Sequence, residues 1–178
     1  MRHRFICLAA LFLTLTLGSA GQSGDSKLKI GDGLPPLAGV GLNGERLDSE
    51  TVVDGRTAVV IFSFSRAGGR EAQRWTERLI RDDPRRMICT VIFLESVPGV
   101  FRGMAVSGIK AGMPPSQQDR TILMFQDEEL WKRMLALAKD RDLCVMLLGP
   151  TGRVAWMTRE PYTDALYAEL SRSMRAFH

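Results

Sequence analysis

Reactive side chains are few in this chain, and the most suggestive of them stand together. Ser65, Arg66 and Arg70 lie where an apolar run, residues 57–64, gives way to helical periodicity. A hydroxyl, two guanidinium groups and the free N–H groups of a helix start can hold an anion or a carboxylate, with Arg66 or Arg70 as counter-charge. The same loop could equally do no more than turn the chain. Cys89 and Cys144 sit inside apolar runs, 87–94 and 143–148, where a thiol behaves as a small hydrophobe with a raised pKa. Either is a peroxidatic or exchange thiol only if it reaches solvent, and the two can pair only if their strands are neighbours.

The remaining inventory excludes whole classes of chemistry. Past the N-terminal stretch the only histidine is His178, so the chain has no Ser–His or Cys–His nucleophile pair and no His-based zinc or haem site. Met104, Met113, Met124, Met134, Met146 and Met157 are scattered over different elements and read as gap-filling core residues rather than copper ligands. No metal and no cofactor is expected. The carboxylate pairs Asp82-Asp83 and Glu128-Glu129 fall at helix ends, where capping and dipole compensation account for them, so no catalytic residue is assigned. Trp75 and Trp131 lie on apolar helix stripes and read as core. Trp156, beside Met157 and Arg159, reads as a surface anchor for a partner. The candidate binding residues are therefore Ser65, Arg66, Arg70 and Trp156.

The N-terminus carries Arg2, His3 and Arg4, then an apolar run over 5–17 and the small residues Gly18, Ser19 and Ala20. This pattern is that of a secretory signal cut after Ala20. The alternative is a retained membrane anchor, although the run is shorter than the roughly 20 residues a spanning helix needs. Residues 21–29 read as a flexible polar segment and 30–178 as one domain. Cleavage removes Arg2 and Arg4 and no acid, lowering the formal charge of +4 by two. The basic clusters of Arg81, Arg85 and Arg86 and of Lys139 and Arg141 are interleaved with aspartates, so they read as solvated faces and no nucleic-acid partner is expected.

The elements that must position these residues follow from periodicity. Asn43-Gly44 predicts a hairpin near the start and Asp54-Gly55 a second turn. The run 57–64 is a strand buried on both faces, and Ala72, Trp75, Leu79 and Ile80 predict an amphipathic helix from about 69 to 82, ended by Pro84. Residues 87–94 form the next strand, 98–112 a glycine-loosened helix, and 121–125 a short strand. A helix opens at Asp127 and runs to about Ala138. The segments 143–148 and 153–158 form an antiparallel pair, and Pro161 introduces a final helix. The fold class is α/β, with helices on both sides of a mostly parallel sheet that has an antiparallel edge.

That order, with Ile30-Gly31-Asp32-Gly33-Leu34-Pro35 leading in, Leu42-Asn43-Gly44 next and Gly55-Arg56-Thr57-Ala58-Val59-Val60-Ile61-Phe62 as the first core strand, resembles the exported thioredoxin-like proteins of the TlpA and peroxiredoxin type. The resemblance covers nearly all of residues 29–176 and implies a thioredoxin-like three-layer α/β/α sandwich, a mixed sheet with an N-terminal β-hairpin extension. Two hallmark positions depart from that family. The loop that normally carries Cys-x-x-Cys reads Ser65-Arg66-Ala67-Gly68-Gly69, and the usual cis-proline position falls on Leu143. Thiol–disulfide exchange at this loop is chemically excluded. Phe62-Ser63-Phe64-Ser65 with Ala67, Glu71, Gln73 and Trp75, together with 145–148 and 152–156, is also similar to the mitochondrial ATP-synthase assembly factor family, whose members share the fold without the cysteine pair. That similarity spans two blocks.

These observations lead to the expectation of an exported, periplasmic or secreted, redox-inactive binding module. It would not be an enzyme, and its partner would be a protein, including a subunit of a membrane complex. A thiol enzyme using Cys89 or Cys144 and a small-anion carrier are the alternatives.

Overall fold

The computed structural model describes residues 27–177, and every structural statement below refers to them. The signal-like segment and residues 21–26 lie outside that range. The elements in chain order are β1 (Ala38–Gly41), β2 (Arg46–Asp48), α1 (Ser49–Val53), β3 (Ala58–Ser63), α2 (Arg66–Asp82), β4 (Met87–Phe93), α3 (Gly99–Gly112), α4 (Pro115–Gln118), β5 (Thr121–Met124), α5 (Glu128–Met134), β6 (Leu143–Leu148), β7 (Val154–Thr158) and α6 (Asp164–Arg175). They build a thioredoxin-like α/β/α sandwich around one sheet of order β2-β1-β5-β4-β3-β6-β7.

The three strands β3, β4 and β5 run parallel, and both flanks of the sheet are antiparallel. The sheet is thus more mixed than a parallel core with one antiparallel edge, because the N-terminal hairpin adds β1 and β2 beyond β5. The hairpin turns at Asn43-Gly44, where Gly44 takes a positive φ of 89° and the Asn43 side chain accepts from the Glu45 N–H at 3.0 Å.

The continuous apolar strands predict burial on both faces, and the layers supply it. One face of the sheet packs Val60, Phe62, Cys89, Val91, Cys144 and Met146 under α1 and α5, through Val53, Trp131 and Leu135. The other packs Val59, Ile61, Ile88, Val145 and Leu147 under α2 and α6, through Ala72, Trp75, Leu79, Tyr167 and Leu170. Trp75, fully buried, lies 5.2 Å from the Tyr162 ring and 6.1 Å from the Trp156 ring. Further along that second face, α3 rests Ala105, Val106 and Ile109 on a small cluster of Leu42, Leu94 and Leu123.

Three local expectations shift. The helix expected to reach Ala138 ends at Met134, because the chain leaves the helical path at Ala136 with φ 50°. Its last carbonyls are taken from outside: the Leu28 N–H donates to the Met134 carbonyl at 2.8 Å, and the Arg159 guanidinium donates to that of Leu135. The last helix starts not at Pro161 but after Thr163, whose Oγ1 accepts from the Leu166 N–H at 3.2 Å. Finally, Leu28 belongs to the core instead of the polar segment read over 21–29.

That placement has a direct check. Leu28→Ala lowers the unfolding free energy in urea by about 2–3 kcal/mol, the order expected for emptying a buried leucine site. A loss below about 0.5 kcal/mol, as for a surface position, would show that this segment adds nothing to the core.

Candidate functional site

The junction of β3 and α2 is held shut by its own residues. Ser65 is the N-cap of α2, extended at φ −155° and ψ 172°, and its Oγ accepts from the Gly68 N–H at 3.1 Å. The Ser65 carbonyl accepts from the Gly69 N–H at 2.9 Å and from the Ser63 hydroxyl at 3.3 Å. The Ser65 hydroxyl in turn donates to Asp142 Oδ2 at 2.7 Å. It is therefore spent both as donor and as acceptor.

Asp142, just before β6, closes the seam with its backbone as well. Its carbonyl accepts from the Phe64 N–H at 3.0 Å. A Cβ built on Gly68 would stand 2.2 Å from that carbonyl oxygen, a distance no side chain tolerates. Ser65 and Gly68 are the two positions of a Cys-x-x-Cys spacing. The first carries a tied hydroxyl and the second has room for no side chain. The described residues contain no cis peptide bond, so Leu143 follows Asp142 through a trans one.

Charge at this junction follows from the same contact. The N-terminus of a helix favours a negative group, and the chain supplies one in the Asp142 carboxylate. An incoming anion would meet a carboxylate already in place. Arg66, Ala67 and Arg70 project outward and are exposed, and among the described residues neither arginine is paired with an acid. One helical turn apart, the two arginines form a cationic lip beside the closed junction. Nearby, Arg141 pairs with Glu160 at 2.9 Å, tying the approach to β6 to the approach to α6.

Cys89 and Cys144, the two cysteines among the described residues, are fully buried on the same face of the sheet. Burial pushes each thiol up to about 12, with Arg159 opposing the shift weakly at Cys144. Cys89 pairs across from Val60 on β4, and Cys144 across from Phe62 on β6, so β3 runs between them. Two strand spacings of about 4.8 Å put their Cα atoms beyond the roughly 7 Å a disulfide allows. The two thiols are neither paired nor poised to react.

Trp156 is where expectation and structure part. The indole is only 9% exposed and packs on Trp75, so it is not a surface anchor. β7 is an edge strand with cover on both sides: Trp156 faces α2 and α6, while Met157 packs against the opposite core cluster. Met104 departs too, being 74% exposed rather than core filler. Glu128 is a buried helix-start carboxylate that accepts from Lys132 Nζ at 2.8 Å and from the Ser96 N–H at 3.2 Å. Among the described residues, no three His, Cys, Asp or Glu side chains converge as metal ligands.

Asp142 and Gly68 are the residues that sequence reasoning missed. Asp142 ends a short charged stretch from 139 that reads as solvated, and nothing local distinguishes it from Asp140. A surface depression lies between α2 and α6, lined by Arg78, Asp82, Tyr167, Arg172 and Arg175. Three of its side chains engage one another: the Tyr167 hydroxyl donates to Asp82 Oδ2 at 2.6 Å, and Arg78 stacks 4.5 Å above the Tyr167 ring. That hydrogen bond, before the charge of Arg78, lowers the Asp82 pKa.

No protein-family model matches this chain, and no curated protein matches it in sequence. Solved structures do match it in shape. A protein named as thiol:disulfide interchange protein DsbE from Chlorobium tepidum superposes with TM-score 0.59 at 16% identity, covering 84% of this chain and 98% of its own. The thioredoxin domain of a thiol-disulfide oxidoreductase from Bacteroides vulgatus gives 0.59 at 15%, covering 82% and 98%. BsSco, a member of the Sco family of cytochrome c oxidase assembly proteins, gives 0.57 at 12%, covering 84% and 96%. At these identities the likeness is one of fold, and the fold is thioredoxin-like. No helix among the described residues is long and apolar enough to cross a membrane.

Gly68→Ala should cost several times more stability than Gly69→Ala, since the nearest atom to a Cβ at 69 is Ser63 Oγ at an ordinary 3.7 Å. Equal effects in thermal unfolding would contradict the close approach of Asp142. The thiols make a second forecast. Above pH 9.0 the unfolded chain releases protons that the folded chain keeps until about pH 12. Stability then falls with rising pH by about 1.4 kcal/mol per unit for each cysteine, and Cys144→Val removes about half of that thiol-dependent slope.

Proposed function

We propose that this chain is an exported, redox-inactive binding module that serves a protein complex of the cell envelope as an adaptor or assembly subunit. The observation that carries the reading is the Ser65–Asp142 contact at 2.7 Å over a glycine with no space for a side chain. A thioredoxin-like scaffold normally presents a thiolate at this junction, and here the junction is sealed. A thiol enzyme would need a cysteine that solvent can reach, whereas both thiols are buried and raised. An anion carrier would need the α2 N-terminus free, whereas a carboxylate already holds it.

What remains available is the surface around Arg66, Ala67 and Arg70. Two exposed, unpaired guanidinium groups one turn apart suit an acidic segment of a protein partner, each exposed charge acting mainly on association rate and salt dependence. Export rests on the signal-like residues 1–20. Their apolar run also leaves room for delivery to a membrane-bound complex.

The test has two arms. The chain from residue 21 onward, once purified, should reduce insulin and consume peroxide no faster than buffer, and measurable turnover in either assay would overturn the proposal. A photo-crosslinker placed at Ala67 in cells should capture one envelope protein. Arg66→Glu with Arg70→Glu should weaken that capture about tenfold or more while leaving the unfolding curve unchanged. Capture indifferent to the charge reversal would remove the arginine lip from the account.

A further inference from the structure

Among the described helices α3 alone buries no side chain fully. Val100, Phe101 and Met104 are 86%, 55% and 74% exposed, half of the exposed large apolar side chains found. A surface helix normally turns a charged face to water, and one that is apolar all round belongs between two packed layers. The inner side of α3 rests Ala105, Val106 and Ile109 on the sheet. Its outer side presents Val100, Met104, Ser107 and Ala111 at the i, i+4, i+7, i+11 spacing of a helix-packing seam. Gly99, Gly103, Gly108 and Gly112 flank the seam, and a Cβ at any of them would meet nothing. Gly103 and Gly108, inside the helix and in open space, weaken it by roughly 1 kcal/mol each without serving any contact inside the fold.

The order of sizes along the seam selects the occupant. The large side chains Val100, Phe101 and Met104 all lie in the first half of α3, and Ser107, Gly108, Ala111 and Gly112 all lie in the second. We infer that α3 pairs with α3 of a second copy of this chain, antiparallel about a two-fold axis through its midpoint. Val100 then faces Ala111 of the second copy, Met104 faces Ser107, and Phe101 fits the notch left by Gly108 and Gly112, each contact occurring twice as an isologous interface requires. A parallel pairing would set large against large and leave the small half empty.

Charge agrees with this arrangement. The helix has no acid, and the Arg102 guanidinium is turned back onto the carbonyls of Val97 and Glu95 at 3.0 and 3.1 Å. Lys110 is the one charge on the outer side, and the antiparallel pairing places the two copies of it about 13 Å apart along the axis, beyond the Debye length of about 8 Å. A lipid surface is a poorer match, since helices that lie on membranes carry several cations and a bulky apolar side, and here half of that side is glycine, alanine and serine. Fourteen residues span only about 21 Å, so the pair buries less than the roughly 1,200 Å² of a stable complex and the dimer depends on concentration.

Sedimentation of the chain from residue 21 onward, from about 1 μM to about 1 mM, should show monomer passing to dimer. Gly108→Leu should fill the notch and hold the protein monomeric throughout, without lowering its Tm, because the added side chain meets nothing in the monomer. Val100→Cys combined with Ala111→Cys should give a covalent dimer on mild oxidation. Val100→Cys alone should not, since its two copies lie about 16 Å apart along the axis. Monomer at every concentration, or equal cross-linking by the single and double variants, overturns the inference. So does a wild-type monomer that floats with anionic vesicles and loses this on Val100→Asp. None of these results bears on Arg66 and Arg70, so the binding-module reading stands or falls separately.

Discussion

The contact on which the rest of this structure depends is the approach of Asp142 to the start of α2. One residue closes the junction in three ways: its carbonyl takes the Phe64 N–H, its carboxylate takes the Ser65 hydroxyl, and its main chain occupies the space beside Gly68. These contacts join the end of β3 to the beginning of β6, strands that lie side by side in the sheet but about eighty positions apart in sequence. The helix dipole, the N-cap and the seam between neighbouring strands are satisfied by the same few atoms. Such a junction is a structural joint. Reopening it for a reactive group would require changing Ser65, Gly68 and Asp142 together.

Much of the architecture was legible because it rests on local rules. The uninterrupted apolar runs of β3, β4 and β6 could only be strands covered on both faces, and the stripe of Ala72, Trp75 and Leu79 could only be the inner side of a helix. Turn chemistry placed the hairpin at Asn43-Gly44. What could not be read depends on tertiary partners. The end of α5 is set by Leu28 and Arg159, which approach from the two ends of the chain to take its last carbonyls. Trp156 lies on a strand whose alternation leaves its direction open, and only the packing of α2 and α6 decides that it points inward.

The candidate site shows the same division. Serine and arginines at a strand-to-helix junction are visible in sequence, and so is the lack of cysteine there. That the hydroxyl would be taken by Asp142 is not, because the interaction spans 77 positions and Asp142 sits among other charges of no special character. The glycine carries a weak signal: a helix with two glycines in succession in its first turn gives up helical propensity, and a reason must exist nearby. Gly68 has that reason in Asp142, while Gly69 has ordinary space around it.

The burial of both thiols reaches beyond the question of catalysis. Among the described residues the thiols lie only in the sheet interior, on strands that β3 separates, and neither is presented to a passing disulfide or to a sulfenate on another protein. With no disulfide between the two, the fold of the described residues draws no stability from the balance of oxidants and reductants around it. A thioredoxin-like body of this kind keeps Cys89 and Cys144 inside the sheet, apart from the surface that other molecules meet.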